Sequence, residues 1–170
     1  MNKSQNTHGF YNQEMLTMKV FLKMDQVGQN IKQNLERSIS HNIEGKCIQD
    51  GYIKPNSVRV NTYSAGIVNN ENIEFQTIFQ CMVCYPVEGM VIDCNVKTIT
   101  KAGIHAEVID NEGNIPITIF IARDHHFTDK TFTNITENNK ITTKIIGIRF
   151  ELNDPYICAI GTLDTTSNEK

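Results

Sequence analysis

The sequence predicts an α+β domain (one main helix on a small antiparallel sheet) followed by an all-β barrel of five strands. Three strands are indicated between Val91 and Ile121, because apolar and polar residues alternate there and glycines stand where a small barrel must bend. Two further runs, 142–151 and 156–163, complete the five strands of an OB-type barrel. Barrels of this type often hold single-stranded nucleic acid on one face.

The first half of the chain contains one helix pattern among strand patterns. Residues 16–24 alternate as a strand does, and Asp25 is expected to cap the helix that follows. Further strands are predicted at 58–63 and 73–85, with a polar loop over 68–72. The helix is indicated by apolar residues that recur every four positions, namely Val27, Ile31, Leu35, Ile39 and Ile43.

These patterns divide the chain into three parts. Residues 1–14 are polar and without pattern, so we expect a disordered arm. Residues 15–85 form the α+β domain, and residues 86–170 form the barrel, with an insertion at about 123–141 that is either mobile or a short helix plus loop. No Gly/Ser-rich linker separates the halves, so a fixed relative orientation is expected.

Composition and cysteine use exclude several classes of function. Five cysteines without an apolar leader predict an intracellular protein with reduced thiols, and no run approaches the ~18 apolar residues of a membrane span. Cys81 and Cys84 lie in a predicted strand and point to opposite faces, which favours two core residues over a zinc or redox site. No catalytic triad or phosphate-binding glycine loop is present, so we expect no catalytic residue, metal or cofactor.

A set of basic residues is distributed along the segment predicted to form the barrel. The net charge of −3 means that any RNA contact must come from a local patch. In an OB barrel the face of strands two and three forms the nucleic-acid groove, where His105 could stack on a base. Each cation alone is typical of ordinary surface charge. The candidate RNA-binding residues are Lys97, Lys101, His105, Arg123, His125, Lys130 and Arg149.

The order of motifs over residues 16–163 resembles the stalk subunit of multisubunit RNA polymerases, which is the seventh subunit of RNA polymerase II and has a counterpart in the archaeal polymerase. The matching segments are the helix with Gly28, Ile31, Lys32, Leu35 and Ile43; Glu44-Gly45-x-Cys47; Gly51-Tyr52-Ile53; Ile73-Glu74-Phe75; Phe79 to Pro86; Pro86-x-x-Gly89-x-Val91; Gly103; and Ala159-Ile160-Gly161-Thr162.

The resemblance implies a non-catalytic polymerase subunit. Its first domain, the tip domain, would dock on the large subunits near the base of the clamp, and its barrel would guide nascent RNA. A smaller helical subunit would bind along both domains. The implied location is the nucleus, or the virion or viral factory for a virus-encoded copy. The residues that the resemblance assigns to docking are Glu44, Gly45, Cys47, Gly51 and Tyr52.

The barrel departs from the RNA-binding pattern of its type. Positions that carry aromatic residues or histidine in such barrels are expected to hold Ala102, His105 and Ile121 here. With one such residue retained, RNA binding should be weak and led by phosphate contacts. The alternative is a free-standing OB-fold factor in translation or RNA decay, but such a factor has no need of the helix and the Glu44–Cys47 segment. Abundant Asn, Ile, Lys and Thr indicate an AT-rich genome, viral or eukaryotic.

Overall fold

The structure is a computed structural model that describes residues 9–126 and 130–164. The first domain contains β1 (Tyr11–Lys23), a short 3-10 helix (Met24–Gln26), α1 (Ile31–Ile43), β2 (Cys47–Ile48), β3 (Gly51–Ile53), β4 (Arg59–Tyr63), β5 (Ile67–Asn69) and β6 (Asn72–Cys84). The second contains β7 (Val91–Ile99), β8 (Gly103–Val108), β9 (Ile117–Ala122), a second short 3-10 helix (Arg123–His125), α2 (Lys130–Thr133), β10 (Lys140–Arg149) and β11 (Ile157–Leu163).

The first domain is the predicted small antiparallel sheet with one helix. β1 pairs with β6 along its full length, and β3, β4 and β5 pair with the opposite edge of β6. Leu35, Ile39 and Ile43 of α1 are buried, and they pack on the sheet face that carries Phe75 and Phe79. The four-residue apolar spacing in the sequence therefore selects the face of the helix that the sheet covers. No helix of the described residues is long and apolar enough to cross a membrane.

Three local predictions for this domain were wrong. β1 begins at Tyr11, so residues 11–14 belong to the sheet rather than to an arm; residues 1–8 lie outside the described part. Asp25 lies in the 3-10 helix, and α1 begins after Asn30. The loop predicted at 68–72 is a tight hairpin between β5 and β6, with Asn70 at φ 55°, a conformation that asparagine tolerates.

The second domain is a closed five-stranded barrel in the order β10-β11-β9-β8-β7. All neighbouring pairs are antiparallel except β9 and β11, which are parallel. This confirms the predicted OB-type architecture. The described part of the insertion consists of the second 3-10 helix, the four-residue α2 and a turn, and α2 places Phe132 in the barrel core. Residues 127–129 lie outside the described part.

The two domains share one hydrophobic core at their junction. Tyr11, Tyr52 and Cys84 of the first domain are buried among the apolar side chains of the barrel. The main chain of Cys47 is also tied to the β10–β11 loop: its N–H donates to the Asp154 carbonyl at 2.8 Å, and its carbonyl accepts from the Asn153 N–H at 2.8 Å. These contacts connect the domains directly, as the absence of a linker had indicated.

One buried polar group offers a test of the packing in the first domain. Thr77 is fully buried, and its hydroxyl has no hydrogen-bond partner among the described residues. Thr77→Val should raise the free energy of unfolding by about 1–2 kcal/mol, because it removes an unsatisfied buried group. Thr143 is the matched control, since it is equally buried but its hydroxyl lies 3.2 Å from the Cys94 sulfur. Urea denaturation should show Thr143→Val unchanged or less stable, and equal gains in both variants would contradict the account.

Candidate nucleic-acid interface

An aromatic pair lies on the outer face of β8 and β9, the second and third strands of the barrel. His105 and Phe120 are cross-strand partners whose ring centroids are 4.9 Å apart, with the planes inclined at 45°. A groove of about 560 Å³ runs over both rings and reaches Tyr156, the residue just before β11. Aromatic faces along a groove are what single-strand binders use to stack successive bases.

Phe120 corrects the expectation for this face. Ile121 was expected to stand at an outward position, but it is fully buried in the barrel core, and Phe120 points outward in its place. The sequence contains the signal, because Ile117, Ile119 and Ile121 stand at every second position of β9 and share its buried face, which leaves Phe120 on the opposite face. Ala102 is exposed in the loop between β7 and β8. The groove therefore carries more aromatic surface than the sequence pattern had indicated.

Lys97 lines the same groove but is already paired with a carboxylate. Its ammonium donates a hydrogen bond to Glu107 on β8, and this bond raises the pKa of Lys97. The pair is exposed on the lysine side, so solvent screens it. Its main consequence is electrostatic: Glu107 offsets the charge of Lys97 within the groove.

Two other predicted cations flank the groove at the β7–β8 loop. Arg123 donates from its guanidinium to the Thr100 carbonyl at 3.2 Å, and its backbone N–H donates to the Ala102 carbonyl at 3.0 Å. Its guanidinium also lies over the Phe132 ring, 5.5 Å from the centroid. Lys101 is exposed in the same loop and has no carboxylate partner among the described residues. Arg123 thus fixes the loop that presents Lys101 next to the groove, of which Thr100 forms part.

The remaining predicted cations are not among the residues that line the groove. His125 and Lys130 are exposed in the insertion, and Arg149 forms an exposed ion pair with Glu151 at 3.7 Å. The structure therefore divides the predicted basic set. Lys97 and His105 line the groove, and Arg123 adjoins it through its hydrogen bond to Thr100, the residue next to Lys101.

The residues predicted for polymerase docking are mostly internal. Cys47, Gly51 and Tyr52 are buried at the junction, and burial raises the pKa of Tyr52 to about 12. Glu44 accepts from the Val58 N–H at 3.0 Å, and Gly45 turns the chain with φ 71°. These residues hold the β2–β3 hairpin in place. Its turn, Gln49–Asp50, is exposed.

Cys81 and Cys84 occupy separate cores. Cys81 packs in the core of the first domain and Cys84 in the core shared with the barrel, which confirms that they point to opposite faces. Burial raises the pKa of Cys81 to about 11 and that of Cys84 to about 12, so both are thiols at neutral pH. Among residues 9–126 and 130–164, no group of three or more His, Cys, Asp or Glu side chains is placed to hold a metal ion.

Comparisons of the sequence with known proteins find distant relatives among RNA polymerase subunits. No protein-family model matches the chain. A protein of Acanthamoeba polyphaga mimivirus, provisionally assigned as a DNA-directed RNA polymerase subunit, is 26% identical over 178 residues, which cover 94% of this chain and 85% of that protein. Subunit 7 of RNA polymerase II from Arabidopsis thaliana and subunit RPB7 from Glycine max are each 24% identical over 153 residues, covering 80% of this chain and 82% of the relative.

The chain resembles the seventh subunit of RNA polymerase II. The similarity to the mimivirus protein extends over both domains, because 94% of the chain is aligned. The resemblance inferred from the order of motifs is thereby confirmed at low sequence identity.

The junction of the two domains contains a carboxylate that predicts acid sensitivity. Asp110 accepts hydrogen bonds from the Tyr11 hydroxyl at 3.0 Å and from the side chain and backbone of Asn114 at 2.9 and 2.8 Å. Partial burial opposes ionisation, but these bonds outweigh it and lower the pKa of Asp110 below its ordinary value of 3.8. The stabilisation is therefore complete above that value and is lost as the pH falls through the lowered pKa. Thermal unfolding between pH 7 and pH 2 should show it, and Asp110→Asn should flatten this part of the profile; an identical profile would contradict the assignment.

Proposed function

We propose that this chain is a non-catalytic stalk subunit of a DNA-directed RNA polymerase. It docks on the large subunits at the base of the clamp through its first domain and guides nascent RNA along the barrel. The observation that carries the proposal is the similarity to RNA polymerase subunits over most of both domains. Proteins of one fold serve many functions, so the fold alone does not explain how the chain acts. The groove of the barrel accounts for RNA guidance, and the hairpin at the domain junction accounts for docking.

RNA guidance rests on the groove of the barrel. Bases of a single strand stack on His105, Phe120 and Tyr156, while Lys101 and Arg123 attract the phosphates at one end. The binding is weak, because Glu107 offsets Lys97 and the chain as a whole carries a net charge of −3. Weak contact suits a guide, since a growing transcript has to slide over the surface.

Docking rests on the exposed turn of the β2–β3 hairpin. Gly51 and Tyr52 anchor the hairpin in the core shared by the domains, so a force on the turn passes to the barrel through buried contacts. The turn wedges against the large subunits and biases the clamp towards its closed position. A smaller helical subunit binds along both domains and completes the stalk. The chain then works in the nucleus, or in the virion or viral factory if a virus encodes it.

A tagged pull-down from native extract, analysed by mass spectrometry, tests this function. The large polymerase subunits should be recovered in near-stoichiometric amounts. Asp50→Lys in the exposed turn should reduce this recovery, whereas His105→Ala combined with Phe120→Ala should retain it, because the groove lies on the other domain. Recovery of RNA or ribosomal proteins without polymerase would contradict the proposal and favour a free-standing RNA-binding factor.

A further inference from the structure

The outer face of the barrel carries polar side chains beside its aromatic pair. His105 stands opposite Phe120, and the next outward position of β8 is Glu107, which stands opposite Thr118. Outward positions two residues apart on a strand are separated by about 7 Å, roughly the reach of a base and one hydrogen bond. A base stacked on the His105 ring can therefore bring its hydrogen-bonding edge to the Glu107 carboxylate.

A β-bulge at Lys97 brings an ammonium to the same place. The register between β7 and β8 shifts between Val96 and Thr98. Their partners on β8, Ala106 and His105, are consecutive, so the residue between them on β7 is the extra residue of the bulge. Lys97 and Thr98 are in consequence both exposed and both line the groove, although strict alternation would place them on opposite faces. Bulges next to functional sites re-aim a side chain in this way.

The Glu107 carboxylate is largely buried in the wall of the groove, and one of its oxygens is left without a donor. The side chain of Glu107 is 15% exposed, and Lys97, whose side chain is 63% exposed, binds its Oε1 atom. Its Oε2 atom accepts no hydrogen bond from any residue that the structure describes. Because a desolvated carboxylate is costly without hydrogen bonds, this site favours a ligand that donates to it. The ammonium beside it has three donors, of which the pair uses one.

Guanine is the base whose edge matches this pair. Its Watson–Crick edge carries the O6 acceptor followed by two adjacent donors, N1–H and the N2 amine. An ammonium can donate to O6 while the carboxylate accepts from both donors. Uracil offers one donor between two acceptors, and adenine and cytosine carry a ring acceptor next to their one amine, so each sets a lone pair against the carboxylate. Proteins that bind single strands read the bases on these edges.

We infer that the Lys97–Glu107 pair selects guanine at the base position that stacks on His105 and Phe120. The inference rests on the proposed RNA guidance and adds a base preference to it. Stacking alone tolerates every base, because each has an aromatic face, so the preference comes from the ion pair. Guanine also supplies the buried carboxylate with the donors that the chain itself does not provide among its described residues.

Single-base changes in one RNA test the inference with the unaltered protein. Fluorescence anisotropy of the full chain at fixed low salt would compare labelled oligouridines that carry one central guanosine, inosine, adenosine or cytidine. The guanosine strand should bind about fivefold or more tightly than the adenosine and cytidine strands. Inosine lacks only the N2 amine of guanosine, so it should lose most of this advantage. Equal affinities for the guanosine and inosine strands, or a preference for another base, would overturn the inference.

Variants of the carboxylates assign the preference to the pair. Glu107→Gln keeps the size of the side chain but removes one acceptor, so it should bring the guanosine and adenosine strands to within about twofold of each other, by strengthening adenosine binding the more. Glu151→Gln is the matched control, because it removes a carboxylate from an exposed ion pair with Arg149 outside the groove and should leave the ratio unchanged. A ratio that survives Glu107→Gln would overturn the inference.

The same titrations separate the base preference from RNA guidance. If RNA binds without any base preference and Phe120→Ala still weakens it, the inference is overturned while the proposed guidance stands. If no strand binds at all, both are contradicted.

Discussion

Gly51→Ala should destabilise the chain by roughly 3 kcal/mol or more, because a β-carbon at this position has no room. It would lie 2.4 Å from the Cys84 carbonyl oxygen and 3.0 Å from a methyl group of Val83, and the backbone has φ 129°, which side chains rarely adopt. β3 would have to separate from β6 at the point where Tyr52 enters the core shared by the domains. The loss should be visible in urea denaturation and in the near-ultraviolet circular dichroism of the buried tyrosines.

Gly89→Ala is the matched control for this variant. Gly89 also has a positive φ of 88°, but a β-carbon there meets nothing within 4 Å. Gly89→Ala should lower the free energy of unfolding by about 1 kcal/mol, because only the unfavourable backbone conformation opposes the new side chain. If the two variants unfold at the same urea concentration, close packing at Gly51 is not what holds the junction. With the proposed docking, Gly51→Ala should also release the chain from polymerase, because the hairpin turn would lose its anchor.

Removal of the aromatic pair should have the largest effect on RNA binding. Stacking on an aromatic side chain contributes about 1–3 kcal/mol per base, so His105→Ala and Phe120→Ala should each weaken binding of a single-stranded RNA by roughly 5- to 150-fold. Fluorescence anisotropy with a labelled oligonucleotide at fixed salt measures this. Tyr63→Ala removes an exposed aromatic ring from the other domain and should leave affinity unchanged.

Variants of the charged residues separate stacking from phosphate contact. Lys101→Ala should reduce the slope of log affinity against log salt concentration by about one, because one phosphate contact is lost, and should leave sequence preference unchanged. Glu107→Gln should strengthen binding, because it releases Lys97 from its ion pair. If Phe120→Ala binds RNA as wild type does while Lys101→Ala loses all affinity, the groove is an electrostatic surface and base stacking plays no part.

Local patterns predicted the barrel well where buried residues recur at every second position of a strand. Ile92, Cys94 and Val96 are buried at every second position of β7, and Ile104, Ala106 and Val108 repeat this in β8. The start of β1 could not be read in the same way, because residues 12–14 are polar on both faces and are held by pairing with the distant β6. Tyr11 and Asp110 are likewise joined across 99 positions. Such contacts depend on the assembled fold and leave no periodic signal.

The sequence predicted which barrel strands form the candidate site more accurately than it predicted which side chains line the groove. His105 was placed correctly on the outer face of β8, whereas Phe120 was missed by an error of one position in β9. A one-residue slip exchanges the two faces of a strand, so the identity of outward residues is the least secure part of such a prediction. Tyr156 joins the groove from a loop, where no periodicity exists to reveal it.

RNA–protein cross-linking in a transcribing polymerase tests the central claim most directly. Polymerase purified through the tagged chain would extend a transcript that contains photoreactive uridine, and the cross-linked peptides would be mapped by mass spectrometry. We predict cross-links in the β8–β9 peptides that carry His105 and Phe120, and their loss in the double alanine variant. A transcribing polymerase that contains the chain but cross-links elsewhere, or not at all, would contradict the proposal that this barrel guides nascent RNA.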